Sequence, residues 1–182
     1  MATDRNSMCF WFPAVLAVGA PHPRTEIIDV GWEKLCGVLD GELTGMEDAF
    51  REVAARIGYP CFVRTDQASG KHDWADTCYL DDETELLPHI HNLIEANELA
   101  DVLGLNYTAI VFREYVPLRA SFTAFNGMPV AKERRLFAED GRVLCEHPYW
   151  PAGAIEEGWS REPLPDDWRE RLALFDAESG PS

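Results

Sequence analysis

The sequence predicts an α+β fold whose sheet pairing is mostly antiparallel. Three observations point there. A strongly amphipathic helix lies between two extended stretches, the second half carries the turn signals Asn126-Gly127 and Asp140-Gly141, and the elements do not alternate as they would in a doubly wound sheet.

Taken in order, residues 9–18 and 25–30 are expected as short strands or extended segments, separated by Gly19, Pro21 and Pro23. A helix follows. Met46, Ala49, Phe50, Val53 and Ile57 share one face, Thr44 and Glu47 form a capping box, and Gly58 ends it. Residues 59–65 read as a buried strand and 66–73 as a polar loop. Leu86, Leu87, Ile90, Leu93 and Ile94 mark a second helix, in which Pro88 is tolerated only near the first turn. Residues 107–115 form another strand, rich in β-branched and aromatic side chains. Phe122–Phe125 and Met128–Phe137 are expected as the arms of a hairpin, and Arg142–His147 as the strand after the second turn. From Pro165 the spacing of Trp168, Leu172 and Phe175 predicts a last helix.

The chain has 182 residues, enough to bury roughly 70% of its unfolded surface without staples. Its 16 basic and 32 acidic residues give a formal charge of −16. That balance argues against nonspecific nucleic-acid binding, which needs Lys and Arg against phosphates, and against an anionic membrane surface. The five cysteines are odd in number, form no CxxC, and several lie in apolar runs; free thiols in a reducing compartment, the cytoplasm, explain them best. No apolar run approaches the roughly 18 residues of a membrane helix.

Three segments carry candidate chemistry. In Arg64-Thr65-Asp66-Gln67-Ala68-Ser69-Gly70-Lys71-His72, a small-residue turn after a strand lets backbone N–H groups approach an anion, and Lys71 adds a point charge. Alternation puts Arg64 and Asp66 on one face of that strand. The GxxxxGKS/T spacing of a Walker loop is absent, and an ordinary surface connection is the competing reading. In Val111-Phe112-Arg113-Glu114-Tyr115-Val116-Pro117-Leu118 an apolar strand ends in charge and then proline, as where a strand leaves one lobe for another; an edge-strand salt bridge is the alternative. In Lys132-Glu133-Arg134-Arg135, alternation places Lys132 and Arg134 on one face and Glu133 and Arg135 on the other, with protection of a strand edge as the alternative. His89 and His91 are two residues apart on a helix and cannot form a metal pair.

These segments in this order, with Pro23-Arg24-Thr25 near the start and His147-Pro148-Tyr149-Trp150 after the hairpin, resemble the ATP-grasp family between about Phe10 and Trp168. They are most similar to a clade, found largely in bacteriophages and bacteria, in which arginine replaces the usual strand lysine. The resemblance implies two small α+β lobes gripping ATP with Mg²⁺. Residues 1–58 would form a preceding segment, 59–118 the first lobe with phosphate loop and hinge, and 119–182 the second lobe with the C-terminal helix. It also implies that Arg64 is the clade's arginine, with Asp66, Ser69, Gly70 and Lys71 around the phosphates. Arg113, Glu114, Tyr115 and Val116 would touch adenine and ribose. Lys132, Arg134 and Arg135 would face the γ-phosphate or the incoming carboxylate. Such enzymes phosphorylate a small-molecule or peptide carboxylate and let an amine or thiol displace the phosphate, stabilising the spreading charge with cations.

No strand pair with metal-binding carboxylates, as these enzymes carry at their end, is legible after Trp150, so the second lobe reads as shortened and the metal ligands are not named. Glu156-Glu157-Gly158-Trp159 and Asp166-Asp167-Trp168 sit in loop and helix-start contexts, where acids serve the helix dipole. An open rear edge predicts self-association or a second chain that completes the site. The reading opposed to a ligase is a degenerate nucleotide-binding or assembly module acting through a partner protein. For a phage-encoded chain the compartment is the host cytoplasm.

Overall fold

The computed structural model describes residues 4–42, 44–102, 104, 106–140, 142–156 and 164–171. Its contacts divide the chain into two compact units, Met1–Val116 and Pro117–Ser182.

The first unit opens with α1 (Met8–Ala17), where the sequence suggests a strand. Ser7 caps it, its Oγ accepting from the Cys9 backbone N–H at 3.1 Å. Met8, Phe12 and Val15 recur at helical spacing and pack on Val111 and Ile27, so a tertiary contact overrides the strand-like composition and Pro13. Then follow β1 (Thr25–Asp29), α2 (Trp32–Gly37), α3 (Glu47–Ile57), β2 (Cys61–Thr65), α4 (Trp74–Thr77), β3 (Tyr79–Leu80), α5 (Leu86–Val102) and β4 (Ala109–Glu114). The start of α3 is the expected box: the Thr44 backbone N–H donates to Glu47 Oε1 at 2.7 Å, and Thr44 Oγ1 accepts from Met46 N–H at 3.0 Å.

The strands make one sheet in the order β1-β4-β2-β3, every neighbour antiparallel. One face, with Cys61, Val63, Ile110 and Phe112, meets Phe50, Val53 and Ile57 of α3 and Leu86, Ile90 and Leu93 of α5 in the main core. Facing pairs across a ladder share a face. The register Thr25↔Arg113↔Phe62 and Ile27↔Val111↔Arg64 therefore puts these six side chains together on the opposite face. There α1 covers Ile27 and Val111.

In the second unit β5 (Ala120–Ala124) pairs with β6 (Met128–Ala131), and β7 (Arg134–Glu139) with β8 (Arg142–Pro148); α6 (Ala152–Glu156) follows. The first turn holds Phe125, Asn126 and Gly127 at φ of 48°, 58° and 92°, a left-handed run that explains the Asn-Gly pair. The expected single strand Met128–Phe137 is two strands of different hairpins. It breaks at Lys132-Glu133, where Glu133 turns to Tyr149 N–H through its carbonyl (2.9 Å) and to Trp150 Nε1 through its carboxyl (3.1 Å). The face assignment of Lys132 by alternation fails with it. Asp140 takes the φ of 48° of the second turn, while Gly141 lies outside the described residues. Residues 168–171 are helical; Trp168 sits 6.3 Å from Phe122, and Leu172 and Phe175 lie outside the described residues. Among the described residues no helix is long and apolar enough to cross a membrane.

Candidate functional site

The sheet face opposite the main core carries two arginines on neighbouring central strands. Arg113 on β4 faces Phe62 on β2, and Arg64 faces Val111, so the arginines are diagonal neighbours. Arg113 is half-buried, and desolvation lowers its pKa from the ordinary arginine value. Its Nε donates to Thr25 Oγ1 at 3.3 Å, and among the described residues no carboxylate pairs with it. A cation taken partly out of water without a counter-charge is an electrostatic invitation to an anion. Arg64 turns its Nε to the Thr65 carbonyl at 2.8 Å.

Beside Arg113 stands an aromatic shelf. Trp74 lies 5.6 Å from Phe62 and stacks on Tyr79 at 5.8 Å with an interplanar angle of 20°. Tyr115 closes edge-on to Tyr79 at 5.1 Å. A planar ring on this shelf would meet both π-faces and a guanidinium. The shelf is not legible in the sequence. Alternation pairs Phe62 with Arg64, but only the fold brings Trp74 and Tyr79 to them.

The loop after β2 is built on its own hydrogen bonds. The Thr65 N–H donates to Ala68 O at 3.0 Å, and the Ala68 N–H donates to Thr65 Oγ1 at 2.9 Å. Asp66 is only 1% exposed. Its carboxyl accepts from Ser7 Oγ at 2.5 Å and from the backbone N–H groups of Thr108 and Ala109 at 2.9 and 3.1 Å. That carboxyl is thus engaged inside the protein. Ser69 is partly exposed. Gly70 has φ of +59°, and a Cβ there would lie 3.1 Å from Leu93 Cδ1 and 3.2 Å from Thr77 Oγ1. Both backbone conformation and space demand glycine. Lys71 opens the 3-10 turn Lys71–Asp73, three residues before Trp74.

At the end of β4, Glu114 meets Arg24: Nε lies 3.3 Å from its Oε2, and the Glu114 N–H donates to Arg24 O at 2.8 Å. Arg24 also donates to the Arg56 and Ile57 carbonyls at 3.2 and 2.7 Å, satisfying the end of α3. Tyr115 joins the shelf and Val116 is 48% exposed. The first unit therefore gathers Arg64, Arg113 and Tyr115 around one face, with the Lys71 loop running into it through Trp74. In the second unit Lys132 is exposed between strands, Arg134 pairs with Glu146 across the β7–β8 ribbon, and the Arg135 guanidinium lies 4.6 Å over the Tyr149 ring.

Other candidates are structural. Both ring nitrogens of His89 face carbonyls, Glu85 O and Ala75 O, at 2.9 Å. Burial pushes the Cys61 and Cys78 thiols up to about 12, far from thiolate reactivity. A groove of about 380 Å³, lined by Arg51, Glu83, Thr84, Leu87 and Pro88, holds none of the candidate residues.

A family model for an ATP-grasp domain, the third family of the arginine-for-lysine clade, matches residues 54–178. The chain belongs to the ATP-grasp family. No curated protein matches it significantly. Its fold is therefore an ATP-binding, ligase-type one, a family that generally works with ATP and Mg²⁺. The donor set of the ATP-grasp chain suits an anionic nucleotide: two arginines, a lysine loop and aromatic rings stand together. Among its described residues no group of three or more His, Cys, Asp or Glu side chains is gathered to hold a metal ion.

Proposed function

We propose that this protein binds ATP with Mg²⁺ on the sheet face of Arg64 and Arg113. It would use the nucleotide to activate a small-molecule or peptide carboxylate for capture by an amine or thiol. The observation that carries the reading is Arg113, partly desolvated, without a carboxylate partner among the described residues, and set against an aromatic shelf. In this reading Arg113, Tyr115 and Val116 recognise base and ribose, with Glu114 held in place by Arg24. Arg64, Ser69, Gly70 and Lys71 meet the phosphates. Lys132, Arg134 and Arg135 of the second unit serve the γ-phosphate or the carboxylate. Residues 1–58 precede the lobes, 59–118 form the first and 119–182 the second. Mg²⁺ keeps several waters and needs only one or two carboxylates besides phosphate oxygens, so it would enter with the nucleotide. The setting is the cytoplasm, the host's for a phage-encoded chain.

Titration with ATP and Mg²⁺ by calorimetry tests this. Saturable binding is expected, and Lys71→Ala should weaken it by about 1–3 kcal/mol, the worth of a charge-assisted phosphate contact. No binding at millimolar ATP would sink the reading. One observation favours a second reading, a nucleotide-binding module that acts through a partner protein. Leu136, Phe137, Val143 and Leu144 are all about half exposed or more on β7 and β8, a surface suited to a docked chain. Binding without ADP formation, whatever carboxylate and amine are supplied, would favour it over the ligase.

A further inference from the structure

The family match begins at residue 54, yet the root of the Lys71 loop is held by residues 4–8. Three hydrogen bonds make the connection. Ser7 Oγ donates to Asp66 Oδ2, the Met8 N–H donates to the Asp66 carbonyl at 3.0 Å, and Gln67 Nε2 donates to Asp4 Oδ2. Ser7 is at the same time the cap of α1, and α1 is anchored by Met8 and Phe12 on the same sheet face as the two arginines. Asp66 also ties the root to β4, because its Oδ1 accepts the Thr108 and Ala109 N–H groups and its own N–H donates to Ala109 O at 3.1 Å.

We infer that Asp66 is a positioning residue and that residues 4–8 clasp the loop through it, so that a segment outside the family match sets the affinity of the phosphate loop. This rests on the nucleotide reading above. The physical ground is the concentration of bonds at one residue. Asp66 is the last ordered link between the buried strand β2 and the small-residue turn Ala68-Ser69-Gly70. It is held on one side by β4 and on the other by the capped end of α1. Backbone N–H groups bind an anion only when several point at it together, and a small displacement of the loop root loses that convergence. Removing the clasp would leave Lys71 and the turn in place chemically but spread over more conformations, at an entropic cost to binding.

Three substitutions separate positioning from direct ligation. Asp66→Ala leaves two buried N–H groups unpaired and frees the loop. Asp66→Asn keeps Oδ1 for Thr108 and Ala109 and offers Nδ2 to Ser7 Oγ, which can accept. Ser7→Ala removes one bond of the clasp and is the mildest. The measurement is ATP affinity by calorimetry, at a temperature where circular dichroism shows each variant folded, together with hydrogen exchange of the Ala68–Lys71 amides. Asp66→Ala is expected to weaken ATP about tenfold, a modest share of what misplacement can cost. Asp66→Asn should stay within about twofold of the unaltered chain because the bonds survive. Ser7→Ala should fall between them, with faster exchange at residues 68–71 and unchanged exchange in β4. Should Asp66→Ala not fold, Ser7→Ala decides. A folded Asp66→Asn that binds as poorly as Asp66→Ala would overturn the inference, because the carboxylate itself would then touch the ligand. Unaltered affinity and exchange in Ser7→Ala and Asp66→Ala, with ATP binding intact in the unaltered chain, would overturn it too. Absence of binding in the unaltered chain would overturn the proposed function instead.

Discussion

Strand β4 and the β7–β8 ribbon hold their cations in opposite ways. The first four residues of β4 are buried, between α1 on one face and α3 and α5 on the other, while the first six of β8 are exposed. Arg113 thus rides on a backbone that cannot shift without disturbing a core, and its charge is raised in energy by desolvation. Arg134 and Arg135 sit on a two-stranded ribbon and are oriented by local partners, Glu146 and Tyr149. A two-stranded ribbon is marginal by itself, so its geometry is open to adjustment by whatever it meets. The first unit is built to present a preset face; the second carries its cations on an adjustable one.

The largest expected effect would break that contrast outright if it failed. Phe112→Ala, in the main core, should cost about 3–5 kcal/mol by chemical denaturation. Leu144→Ala, 64% exposed on β8, should change stability by no more than about 0.5 kcal/mol. Comparable losses would mean that the ribbon is packed after all.

A middle-sized effect sharpens the account of the first unit. Thr44→Ala should cost about 1 kcal/mol by removing the box at the start of α3. Its pH dependence follows from Glu47. Burial pushes that carboxyl up, but hydrogen bonds from its own backbone N–H and from Thr44 outweigh this and hold it below the ordinary glutamate value. A value depressed in the folded state means that the cap contributes fully above the unfolded value of about 4.3 and fades as pH falls through the folded one. The difference between unaltered chain and variant should therefore be constant near neutrality and shrink in acid. A difference that grew below about pH 4 would contradict the assigned bonds.

The smallest effect belongs to the ribbon. Arg134→Ala should cost only about 0.2–1 kcal/mol, because its partner Glu146 is half exposed, and the cost should fall with added salt. A salt-independent loss would indicate a desolvated pair and bring the two regions closer in kind.

Much of the fold was legible because it is locally encoded. Thr44, Glu47 and Gly58 bound a helix whatever surrounds it, and Asn126-Gly127 suits a left-handed turn by its own sterics. Alternation also put Arg64 and Asp66 on one face, which the register of β2 and the bond from Ser7 agree with. The order of basic segments was enough to suggest the family that residues 54–178 match. Residues 8–17 were not legible. A short apolar run suits strand and helix alike, and the helical spacing of Met8, Phe12 and Val15 gained meaning only against Val111. The break after Ala131 depends on Tyr149 and Trp150 reaching Glu133.

The sequence by itself determined the local elements, the charge balance and the identity of the cations that suit a nucleotide. Only the tertiary structure decided which of those polar groups are already engaged. Asp66 is claimed by Ser7 from 59 residues away, and Glu114 by Arg24 from 90 away. Arg113 is left with a hydroxyl and no carboxylate among the described residues. The reason is that a charged group's availability depends on desolvation and on the partners within reach, and both are set by residues distant in the chain.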